Sequence, residues 1–107
     1  MEQQEKLQPI DLKVLKELYK KAYLPKTADK IAKDLNIDYY YTLKIFNKLE
    51  KKDLCSQWVV NKKRECDKKD NYFKVCLLNE LGKDLCLYLK ALEATKNHKK
   101  DQNNDHL

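Results

Sequence analysis

The chain has 107 residues, enough for one domain with a modest core. Its 23 Lys and Arg outnumber 17 Asp and Glu, and the net charge of +6 favours nucleic acid or another anionic surface without choosing between them. No window approaches the ~20 apolar residues of a membrane span. The opening residues MEQQEKLQP lack an apolar signal region. The expectation is therefore a cytoplasmic protein (in the host cytoplasm if the gene is viral) with no membrane contact. One Gly and two Pro argue for a helix-rich chain.

Residues 1–8 are polar and expected to be flexible. Pro9 suits a helix start. Ile10, Val14 and Leu18 recur every four residues, with Leu15 and Ala22 beside them, so a first helix is expected to end near Tyr23 before Pro25. Thr27 caps a second helix, or its hydroxyl instead reaches a DNA phosphate. Two apolar stripes of identical spacing follow: Ala28, Ile31, Ala32, Leu35, then Thr42, Ile45, Phe46, Leu49. Each is the i, i+3, i+4, i+7 row of one helix face. Asn36-Ile37-Asp38 between them has room only for a tight turn, and Asp38 can cap the third helix, about 39–52. Two short amphipathic helices so joined make a helix-turn-helix.

The run Thr27 to Leu54 resembles the winged helix-turn-helix of MarR-like and related PadR- and ArsR-like regulators. Their pattern places Thr or Ser before helix two, Leu-Ala inside it, a Gly-Ile-Ser-type turn, and Leu-Glu-Lys-Lys-Gly-Leu closing the recognition helix. Here those places hold Thr27, Ile31-Ala32, Asn36-Ile37-Asp38 and Leu49-Glu50-Lys51-Lys52-Asp53-Leu54. Asn36 and Asp53 stand where the pattern has glycine, and both tolerate the left-handed backbone of a helix end. Asn79-Glu80-Leu81-Gly82 resembles the family's Thr-x-x-Gly after the wing. The resemblance covers about residues 10–95. It implies a mainly α fold with a small β-hairpin (α+β), and a regulator that binds double-stranded DNA.

On that reading helix three is the recognition helix, with Tyr39, Tyr40, Leu43, Lys44, Asn47, Lys48 and Lys51 pointing outward. Tyr40, Leu43, Lys44 and Asn47 would face base edges in a major groove. Asn can read adenine with two hydrogen bonds, Lys can reach guanine, and Leu can touch a thymine methyl. Thr27, Tyr39 and Lys48 would meet phosphates, and Tyr41 either does the same or packs on a neighbouring element. Three adjacent tyrosines support a second reading, a winged-helix module that binds protein through this face.

After Leu54 the composition turns to strand formers, at Cys55 to Val60 and again at Tyr72 to Leu78. Between them NKKRECDKKDN makes the polar tip of a hairpin, the wing, spanning about 61–71. Lys62, Lys63 and Arg64 cluster there and can lie at the minor groove or on phosphates. Glu65, Asp67 and Asp70 weaken that field, and a solvated loop is the alternative. Trp58 is read as a packing residue.

Asn79 caps a last helix running to about Asn97. Its stripe Leu81, Leu85, Leu92 can serve the domain's own core, while Cys86-Leu87-Tyr88-Leu89 points around most of a turn. The surplus apolar face implies a homodimer through Leu85, Leu87, Tyr88, Leu89 and Leu92, with help from helix one. A two-fold dimer calls for an inverted repeat in the DNA. The domain is thus expected to span 9–96, followed by a disordered polar tail, 97–107.

Cys55, Cys66, Cys76 and Cys86 lie eleven, ten and ten residues apart with no CxxC pair, and His98 and His106 fall in the tail. No metal and no cofactor is expected. Cys55 and Cys76 should be neighbours across the hairpin, where a disulfide or redox switch is conceivable and reduced core thiols are the simpler reading. No catalytic pairing or phosphate loop stands out, so an enzyme is not expected. The Lys-, Asn- and Tyr-rich composition with one Gly suggests an AT-rich genome, such as a virus or plasmid of an archaeon or a low-GC bacterium.

Overall fold

The computed structural model describes residues 6–61 and 71–105, with side chains as far as residue 95. The elements run α1 (Pro9–Tyr19), β1 (Lys26–Thr27), α2 (Ala28–Leu35), α3 (Tyr39–Lys51), β2 (Cys55–Asn61), β3 (Tyr72–Leu78) and α4 (Glu80–Asp105). The sheet order is β1-β3-β2, with both pairings antiparallel. This is the winged helix-turn-helix that the sequence pattern implies.

Local chemistry sets the boundaries. Thr27 Oγ1 accepts from the Lys30 amide at 3.1 Å, and Asp38 Oδ2 accepts from the Tyr41 amide at 3.1 Å. Both fill the donor deficit at a helix start. Asn36 at φ 56° and Asp53 at φ 61° take the left-handed conformation expected of the two positions where the pattern has glycine. Helix α1 stops at Tyr19, four residues short of the expected end. Lys21 turns left-handed at φ 47°, and the Lys26 ammonium then binds the carbonyls of Leu18, Lys21 and Leu24 at 3.0, 2.9 and 3.2 Å. Desolvation there lowers the Lys26 pKa. That clip seats β1, a strand too short to leave a periodic signal, against Val75 and Cys76 of β3.

The core lies between α1, α2, α3 and the inner face of the hairpin. Phe46, Leu15, Leu18, Ile31, Leu49 and Val14 are fully enclosed. Each such side chain contributes about 1.5–3 kcal/mol by leaving water. Cys55, Cys76, Leu78 and Cys86 close the core from the sheet and α4.

Helix α4 departs from expectation twice. It runs to Asp105, past the end expected near Asn97. No Gly or Pro after Gly82 interrupts it. Its inward side is also different. Gly82 and Cys86 are buried and Leu85 and Leu89 half-buried, while Leu81 and Leu92 are 52 % and 43 % exposed. The stripe assigned to the core is therefore largely the exposed one, and Leu89, expected to be surplus, faces inward. Gly82 explains the rotation, because a Cβ there would lie 2.1 Å from the Leu54 carbonyl oxygen. Only glycine lets the two backbones approach so closely. Asn79 fixes the same joint: its Nδ2 donates to Asp53 O at 2.7 Å and its Oδ1 accepts from the Gly82 amide at 2.8 Å.

Candidate nucleic-acid interface

The buried row Thr42, Ile45, Phe46, Leu49 anchors α3 and turns the opposite face to solvent. Tyr40 is 71 % exposed, and Tyr41, Lys44, Asn47 and Lys51 are exposed beside it. Of the four residues expected to face bases, Tyr40, Lys44 and Asn47 share this open surface. Leu43 does not stand out with them. It is half-buried and leans on the core together with Tyr39, contrary to the outward position expected of both.

The reason lies in the hairpin. Residues facing each other across the β2–β3 ladder share one side, which carries Gln57 with Cys76, Val59 with Lys74, and Asn61 with Tyr72. That side fronts α3. Tyr39, Leu43, Asn47, Val59, Tyr72 and Lys74 line a groove of about 290 Å³ between the helix and the sheet. Tyr39 meets Tyr40 edge-to-face, with ring centroids 5.2 Å apart. Deeper along the same seam, Gln57 Nε2 donates to Asn47 Oδ1 at 2.9 Å and to Glu50 Oε1 at 2.8 Å. The sequence reading missed Gln57 and Glu50. The strand period held the clue, since Gln57 shares with Cys55 and Val59 the face that meets the helices.

On the other flank, α3 meets the start of α1. Lys48 does not point outward: its ammonium is 2.7 Å from Asp11 Oδ2, with side chains 14 % and 3 % exposed. The same carboxylate oxygen accepts from the Gln8 amide at 2.6 Å. Asp11 lies in the α1 row Asp11-Leu15-Leu18, so a charge inside an apolar stripe was the available signal. Above this pair opens a cavity of about 430 Å³, with Tyr41, Lys44 and Lys51 on its rim. Lys48 neutralises Asp11 instead of standing outward as expected.

Lys62, Lys63 and Arg64 of the hairpin tip lie outside the described residues, as does Cys66. The thiols of Cys55, Cys76 and Cys86 are free and buried. Cys55 faces Leu78 and Cys76 faces Gln57, so the two are diagonal neighbours on one face, and hydrogen bonding with Cys55, then burial, holds the Cys76 thiol far above its ordinary pKa. Burial also raises Cys86, which donates to Leu15 O at 3.6 Å. Protonated thiols are poor nucleophiles and poor ligands. Among the described residues no group of His, Cys, Asp or Glu is placed to hold a metal ion, and no helix is long and apolar enough to cross a membrane.

No family model and no curated protein matches the sequence. Solved structures match the fold. A variant of MepR from a multidrug-resistant Staphylococcus aureus isolate superposes with a TM-score of 0.71 at 18 % identity, over 91 % of this chain and 64 % of that one. MepR is a transcription regulator of the efflux pump MepA. ZitR, a zinc-responsive MarR family member of Lactococcus lactis, gives a TM-score of 0.59 at 19 % identity, over 99 % of this chain and 67 % of that one. A transcriptional regulator homologue of Pyrococcus horikoshii gives 0.64 at 18 %, over 84 % and 82 %. The chain spans about two thirds of the length of MepR and ZitR. The fold is the winged helix-turn-helix of MarR-type transcription regulators.

Proposed function

We propose that the chain is a sequence-specific, double-stranded DNA-binding transcription regulator acting as a homodimer in the cytoplasm. Helix α3 would enter the major groove, with the basic hairpin tip, residues 61–71, at the minor groove or the flanking phosphates. The observation that carries this reading is the row Tyr40, Lys44, Asn47 and Lys51, exposed along the α3 face opposite the core. The net charge of +6 and the transcription regulators sharing the fold support it. Tyr40, Lys44 and Asn47 take the base edges, and Leu43 reaches a thymine methyl from the groove rim. Phosphates fall to Thr27, whose oxygen accepts from Lys30 and leaves its hydroxyl hydrogen free to donate, and to Tyr39, Lys62, Lys63 and Arg64. The exposed face of α4 supplies the dimer contact.

Binding of a duplex measured against salt tests the reading. Affinity should fall with a slope of about 0.9 log units per phosphate neutralised. Changing Lys62, Lys63 and Arg64 together to Ala should weaken binding to all sequences alike and flatten the slope. Absence of duplex binding at low salt would instead favour a protein-binding module.

A further inference from the structure

We propose that Glu50 and Gln57 are positioning residues that fix which way the Asn47 amide faces, and so choose the class of base that α3 reads. The inference rests on α3 being the recognition helix. It starts from Glu50, whose carboxylate has only acceptors to offer. It accepts from Gln57 twice, at 3.3 Å from the backbone amide and at 2.8 Å from Nε2. The side-chain amide of Gln57 is thereby held with its NH2 toward α3. Turned over, its oxygen would oppose both Glu50 Oε1 and Asn47 Oδ1. The far end exerts no competing pull, since Gln57 Oε1 is buried without a partner among the described residues.

The second hydrogen of the Gln57 NH2 meets Asn47 Oδ1 at 2.9 Å. That oxygen is turned toward β2. Reversing the Asn47 amide would set two NH2 groups against each other. The order Glu50, Gln57, Asn47 is therefore directional, from a group that only accepts to one left presenting a donor. Asn47 is exposed, and its Nδ2 is the end not engaged by the hairpin.

An asparagine reads adenine by donating to N7 and accepting from N6, which needs both amide atoms. Asn47 presents its NH2 to the groove, while its oxygen, with one lone pair taken by Gln57, is turned toward β2. The bases that suit a lone donor carry carbonyl acceptors on their major-groove edge: guanine with O6 and N7, and thymine with O4. Cytosine presents an amino donor there and is opposed. Adenine keeps the contact at N7, but its N6 amino group can use only the lone pair of Oδ1 not taken by Gln57, on an oxygen turned toward β2.

The test is selection from random duplex DNA with the full chain, followed by affinities for the best site and its single-base derivatives. The position read by Asn47 is the one at which Asn47→Ala relaxes preference. The parent should favour guanine there over cytosine by about tenfold, with adenine below guanine. Exchanging the two positioning residues (Glu50→Gln with Gln57→Glu) keeps net charge and reverses the order of donors. Asn47 then turns its oxygen outward, and the preference should move to adenine or cytosine. If that pair fails to fold, Glu50→Ala with Gln57→Ala frees the amide and should raise adenine at the same position. Adenine preferred by the parent, a profile unmoved by these changes, or Asn47→Ala weakening all sites alike overturns the inference while leaving DNA binding intact. No duplex binding by the parent removes the recognition-helix reading, and this inference with it.

Discussion

Single side chains set both the fold's joints and its open surface. The capping roles of Thr27 and Asp38, and the left-handed turns at Asn36 and Asp53, were legible because each depends on neighbours within a few residues. The Asp11–Lys48 pair was not, since its partners are 37 residues apart and only the packing of α1 on α3 joins them. Lys48 and Lys44 look alike in sequence, one helical turn apart on α3, yet their surroundings differ. Lys48→Met strands a carboxylate that is only 3 % exposed, and should cost about 3–5 kcal/mol of unfolding free energy. Lys44→Ala removes an exposed charge and should change stability by no more than about 0.5 kcal/mol while weakening DNA binding. Denaturant titration of the two variants checks this. Equal stabilities would mean that Lys48 is solvated after all.

At the scale of elements, helix periodicity located α2 and α3, and strand composition gave β3 from Tyr72 to Leu78. Periodicity does not say which side of an apolar helix docks. Helix α4 carries apolar residues around much of its circumference, and the expectation chose the wrong stripe. Gly82 held the signal, as the one glycine of the chain, placed where α4 meets the Leu54 backbone between α3 and β2. Leu54, Asn79 and Gly82 form one joint, with the Asn79 amide also donating to Leu54 O at 3.1 Å. Gly82→Ala forces a backbone shift because its methyl group would meet a carbonyl oxygen rather than a yielding side chain. The expected cost is about 1–3 kcal/mol or more. Thermal unfolding should show a drop of about 4–8 °C per kcal/mol lost, and an unchanged melting temperature would contradict the joint.

For the whole molecule, assembly turns on the exposed face of α4. Leu81, Leu87, Tyr88 and Leu92 are 52, 53, 60 and 43 % exposed, an apolar face unusual for a chain with 37 % charged residues. A second copy on this face would set two α3 helices on one side of DNA. Tyr88→Lys with Leu92→Lys alters only exposed positions and should leave the fold intact. Sedimentation should show dimers for the parent and monomers for this variant. Affinity for a two-half site should fall about 10²–10⁴-fold with loss of the linked second contact. Leu89→Lys is no test of the interface, because Leu89 lies on the inward side. A parent that sediments as a monomer at micromolar concentration and still binds tightly would contradict the dimer.

The most direct measurement of the central claim is selection of bound fragments from random duplex DNA by the unmodified chain. An inverted repeat should be enriched, with half-sites about one helical turn, roughly 34 Å, apart. The enrichment should be lost when Tyr40, Lys44 and Asn47 are changed together to Ala. Recovery of no common sequence, with no retention of duplex at low salt, would rule out sequence-specific binding by α3.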